Sequence, residues 1–134
     1  MSADQIMPNE RWKADPEEQD FPAARSYLSL LVSPDRARRY AKLLAKESRL
    51  WHYMAKDLLR ASGLALLPID DHEIEKDLAK VRLGVKLSPV LLVRGEPLWV
   101  ADGYHRICAS YHIDEDAVVA CRIVDRLASK SNSH

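Results

Sequence analysis

Cysteine is scarce in this chain: Cys108 and Cys121 are the only two in 134 residues, too few for a disulfide scaffold. Net charge is missing as well, since 20 Lys and Arg balance 20 Asp and Glu. The long-range field that draws proteins to nucleic acid or to anionic membranes is therefore absent as a global property. The longest apolar stretches, Leu64 to Ile69 and Pro89 to Val93, fall far short of the roughly 18 residues that span a bilayer. The first twenty residues carry six acids against two bases, the opposite of a secretory leader, so the expected compartment is the cytoplasm, with both thiols reduced. There is no internal repeat and no low-complexity tract. What is present, 47% hydrophobic and 30% charged residues, suits one domain with a sizeable core.

Charge is uneven along the chain. The acidic residues 1–20, interrupted by Pro8 and Pro16, read as extended or loosely docked, with Trp12 the one anchor. Residues 21–60 hold nine bases against three acids. Ala24, Tyr27, Leu28 and Leu31 recur at helical spacing. Ser33-Pro34 then caps a second helix whose inner face is Ala37, Tyr40, Ala41 and Leu44. Its other positions, Arg36, Arg38, Arg39, Lys42 and Lys46, form a basic surface that either faces solvent or meets a partner. Residues 49–58 suit a strand by their aromatics and a helix by Ala-Lys-Asp-Leu-Leu.

Further on, Asp70 with Glu73 resembles a capping box, and Ile74, Leu78 and Val81 give a helix ending at Gly84. Two apolar runs, 89–93 and 97–101, flank Arg94-Gly95-Glu96 and predict a hairpin. A helix through Ile107 and Tyr111 and a last strand over 117–124 complete an α+β sheet packed by helices.

The chemistry concentrates in Val100-Ala-Asp-Gly-Tyr-His-Arg106, where a strand runs through Asp102-Gly103 into a helix. Gly103 permits a sharp turn, the helix N-terminus favours anions, and His105 and Arg106 add donors that can fork onto phosphate oxygens. Asp102 could hold a metal ion or accept a proton, or it could cap the helix while Arg106 pairs with a surface carboxylate. His105, Cys108 and His112 share one helical face, with Cys121 on the next strand. These are zinc-competent types, but buried cysteines are more often core, and no metal site is assigned.

At Asp102-Gly-Tyr-His-Arg106 the sequence resembles the ParB/sulfiredoxin superfamily, and the resemblance extends over roughly residues 50–126. It implies a small mixed sheet packed by helices over residues 49–126. An acidic segment (1–20) and a helical extension (21–48) precede that domain, and a tail (127–134) follows it. Residues 49–58 would be the family's first strand. It implies that ATP, ADP or CTP phosphates sit at the corner formed by Gly103, Tyr104, His105 and Arg106, with Arg60 also reaching the nucleotide and Mg²⁺ as a companion ion. Tyr104 stands where sulfiredoxins carry their reactive cysteine, and a phenol cannot act as a thiolate, so sulfinic acid reduction is not expected. With about eight residues after the last strand, a partition protein's DNA-binding and dimerisation parts are not expected either. The motif differs at one position from that of a free serine kinase on this fold. If the protein transfers phosphate, Asp102 is one catalytic candidate. The other comes from Asp70, Asp71, Glu73 and Glu75, with Glu73 preferred. The alternative is a nucleotide-responsive module that engages protein or DNA without catalysis, sequence-specific DNA binding being unexpected.

Overall fold

The computed structural model describes residues 8–128. The helices expected near the start form where the periodicity places them. After a short α1 (Pro8–Arg11), α2 (Asp20–Leu28) and α3 (Pro34–Lys46) pack as a hairpin. Ser33 Oγ caps α3 by accepting from the Arg36 N–H, with Pro34 in the first turn. Ala37, Tyr40, Ala41 and Leu44 are buried as the spacing requires. Leu31 lies beyond the end of α2 and is exposed, as is Tyr27, so only Ala24 and Leu28 of that predicted face reach the core.

The ambiguous segment contains both elements in succession: β1 (Arg49–Met54) runs directly into α4 (Ala55–Ser62). The family-like expectation of a strand through residue 58 is corrected here. Alanine, lysine and leucine favour a helix from Ala55, and Gly63 in the left-handed region (φ 70) ends it. Then come α5 (His72–Arg82), β2 (Val90–Arg94), β3 (Trp99–Asp102), α6 (Tyr104–Ile113) and β4 (Val118–Asp125). The cap of α5 is Asp71, one residue later than expected, its Oδ1 accepting from the Glu73 and Ile74 N–H groups.

The four strands form one mixed sheet in the order β1-β4-β2-β3, with β2 and β4 parallel and the other pairs antiparallel. Alternation across β2 divides the core. Val90 and Leu92 face a cluster with α4, α5 and α6, while Leu91 and Val93 face Ala24, Leu28, Tyr40 and Leu44 of α2 and α3. The helices of residues 21–48 thus supply one of the two layers on the sheet. Trp12 is buried, bridges to Leu87 and donates Nε1–H to the Val118 carbonyl at 3.2 Å, so the first described residues are docked by that ring. The rest of the acidic segment (residues 1–7) and of the tail (residues 129–134) lies outside the described residues.

Candidate functional site

The corner forms where β3 meets α6. Gly103 adopts φ 104, and a Cβ there would stand 2.5 Å from Val90 Cγ1, so both conformation and space demand glycine. The first helical bond runs from the Ile107 N–H to the Gly103 carbonyl at 3.1 Å. Gly103 supplies no side-chain cap, and the first turn of α6 holds no acid. The N–H groups of Tyr104, His105 and Arg106 therefore point out of a positive helix end with no carboxylate or hydroxyl from the cap position on them.

Arg106 is where sequence reasoning and structure part. The alternative in which Arg106 pairs with a carboxylate is the arrangement seen, but that carboxylate is largely buried, and the arginine side chain, only 13% exposed, is turned inward. Nη1 donates to the Ser88 carbonyl (2.6 Å), Ser88 Oγ (2.5 Å) and the Pro89 carbonyl (3.2 Å). Nη2 donates to Asp102 Oδ2 at 2.6 Å and lies 3.9 Å from Asp20 Oδ1. Asp20, in turn, accepts from the Glu17 N–H and is buried at the start of α2. One guanidinium thus joins the segment before β2, the end of β3 and the first turn of α2.

Burial pushes the Asp102 carboxyl up to about 6; Arg106 pulls it down and the Asp20 carboxylate pushes it further up. Asp77, buried on α5, is also raised by burial, with Arg106 the largest opposing influence.

His105 keeps 45% of its side chain exposed, with Nε2 at 4.0 Å from Asp71 Oδ1. Tyr104 donates its hydroxyl to the Ala65 carbonyl and so pins the loop between α4 and α5 over the corner. The His112 ring, further along α6, meets the Leu67 carbonyl of that loop at 2.7 Å. Gly103, Tyr104 and His105 therefore share one half-buried rim, with Asp102 and Arg106 beneath it.

The other candidates stand apart. Glu73 is half-exposed on α5 with Lys76 at 3.5 Å, while Asp70 and Glu75 are exposed. Arg60, on α4, has 88% of its side chain exposed beside Asp57 and lines a cleft with Arg94 and Gly95. Val90 abuts Gly103, and Arg94 is four residues further along β2, a rise of about 13 Å, so Arg60 stands at the opposite end of the strand from the corner. Cys108 and Cys121 are both fully buried free thiols raised by burial, Cys121 to about 12. Among the described residues no group of three or more His, Cys, Asp or Glu could hold a metal ion.

Asp20, Asp77 and Ser88 carry no signal of a site in the sequence. Asp20 is one acid among six in an acidic stretch, and only the buried guanidinium of Arg106 gives it meaning.

Comparison of the chain with protein-family models, curated proteins and solved structures returns no match. No helix among the described residues is long and apolar enough to cross a membrane.

Proposed function

We propose that this is a ParB/sulfiredoxin-like domain that binds the phosphate end of a nucleoside di- or triphosphate at the N-terminus of α6. The observation that carries the reading is the start of that helix: a glycine at φ 104, no side-chain cap and no acid in the first turn. Such an end offers its backbone N–H groups to an anion, and phosphate is the anion that best matches several convergent donors. His105 on the same rim adds a donor and, when protonated, a charge.

The role of the module is binding rather than phosphoryl transfer. Asp102 is paired with Arg106 beneath the corner, and Glu73 lies beside Lys76. Neither is presented as a base or as a ligand for Mg²⁺ at the rim, so no step here passes through a metal. Arg106 is a positioning residue. By joining Ser88, Asp102 and Asp20 it fixes the angle at which β3 delivers Gly103.

A thermal-shift series with ATP, ADP, CTP and GTP, each with and without Mg²⁺, tests the reading. A ligand at about 100 times its dissociation constant adds about 2.7 kcal/mol, or about 9 °C for a domain of this size. His105→Glu places a carboxylate in the first turn, where it suits the helix dipole but repels phosphate, and should abolish the shift with the fold intact. No shift with any nucleotide at millimolar concentration, or an undiminished shift in His105→Glu, removes the proposal.

A further inference from the structure

A cleft lies at the far end of β2 from the corner. It has a volume of about 500 Å³, within the range of about 300–1,000 Å³ in which small molecules are bound. Its floor is apolar: Leu58, Leu92 and Ile123 are buried, and Leu98 and Tyr53 form half-buried walls. The charged residues of the lining are Arg60, Arg94 and Asp57, and a second carboxylate, Asp125, accepts from Arg94 beside it.

Both guanidinia are held by weak partners. Arg60 Nη2 is 4.0 Å from Asp57 with 88% of its side chain exposed. Arg94 Nε donates to Asp125 at 3.0 Å, but half of Arg94 and most of Asp125 are in water. Exposed pairs of this kind are worth about 0–1 kcal/mol, so either cation can change partner at small cost. A planar guanidinium presents two parallel N–H groups, the fork that a carboxylate or phosphate accepts.

We propose that this cleft binds a small amphipathic anion, a carboxylate or phosphate monoester with an apolar chain or ring. The apolar part lies on Leu58, Leu92 and Ile123, and the head is held by Arg60 and Arg94. A bare anion would leave the floor wet, and an amphipathic cation would meet the two arginines with like charge. The cleft is separate from the α6 corner and its ligand is independent of any nucleotide bound there.

The test uses the full chain titrated with octanoate, octyl phosphate, octylammonium and inorganic phosphate, followed by amide NMR shifts and calorimetry. Octanoate or octyl phosphate should move the signals of β2, α4 and Leu98. The preferred headgroup identifies the ligand as a carboxylate or a phosphate ester. Octylammonium should bind at least tenfold more weakly, and inorganic phosphate should leave those signals in place. The double variant Arg60→Ala, Arg94→Ala should lose at least tenfold in affinity for the anion. Its melting temperature should stay within a few degrees, because Arg60 is largely and Arg94 half in solvent and their ion pairs are exposed. Ala61→Trp, at an exposed position of the lining, should block the cleft. The proposal is overturned if neither octyl anion binds at millimolar concentration, if octylammonium binds as well as they do, or if the double variant keeps its affinity.

Discussion

Arg106→Ala probes the centre of the molecule rather than its surface. The substitution removes a guanidinium that is 13% exposed and makes four hydrogen bonds, to Ser88 Oγ, Asp102 and the carbonyls of Ser88 and Pro89. It leaves the Asp102 and Asp20 carboxylates facing one another in a poorly solvated place. Breaking a buried ion pair by deleting one partner costs about 3–5 kcal/mol, a large share of the roughly 5–15 kcal/mol that holds a domain together. At an unfolding entropy of about 2.1 cal/mol/K per residue, that loss lowers the melting temperature of a chain this long by about 10–18 °C.

The sign of the pH effect follows from the same contacts. Asp102 titrates at about 6 with Arg106 present and pulling it down, so its value rises further without the arginine. Above pH 6 the variant must either protonate Asp102 or bury it charged and unpaired; at pH 5 the carboxyl is already protonated in both proteins. The destabilisation should therefore be larger at pH 7.5 than at pH 5, read as the difference in urea unfolding free energy. A loss below about 1 kcal/mol at pH 7.5, or one that does not change with pH, would refute the inward placement of Arg106.

Gly103→Ala should cost about 2–5 kcal/mol in chemical denaturation, because φ 104 is strained for alanine and the new methyl meets Val90 Cγ1 at 2.5 Å; a loss under 1 kcal/mol would contradict the corner geometry. Asp102→Asn isolates the contribution of the raised carboxyl. In the native protein Asp102 binds a proton more tightly folded than unfolded, so its contribution to stability is full below about pH 4 and is lost as pH rises through about 6. The stability difference between native and variant should shift against the native protein across that window, and a difference independent of pH would count against the burial of Asp102.

What could be read from the sequence was what one element dictates by itself. The inner face of α3 is visible because four apolar residues recur on one side of a helix whose other positions are charged, and β2 is visible as an apolar run between turn residues. Residues 49–54 are illegible for the converse reason: β1 is an edge strand with five of six residues exposed, so no alternation of buried and exposed positions is imprinted on it. The glycine at the corner was legible because its demand is local. The direction of Arg106 was not, because its partners, Ser88 and Asp20, come from two other parts of the chain and neither carries a signal until the fold assembles them.

That division between local and assembled features bears on how binding at the corner can be tested. Arg106 lies under the rim and sets the strand-to-helix angle through Asp102. A variant of it would weaken an anion site whether or not the guanidinium touches the anion, since the N–H groups of Tyr104 and His105 would no longer converge. Loss of affinity together with loss of stability therefore says only that the corner is built on Arg106. His105 has a lighter structural burden: its side chain is 45% exposed, Asp71, which already caps α5, is 4.0 Å away, and the buried Asp77 lies within its electrostatic reach. Placing a negative charge at position 105 alters the field at the helix end while the backbone donors stay in place. A nucleotide shift that disappears in His105→Glu at unchanged melting temperature consequently places the phosphate at the N-terminus of α6, which no substitution in the Asp20, Asp102 and Arg106 cluster can do.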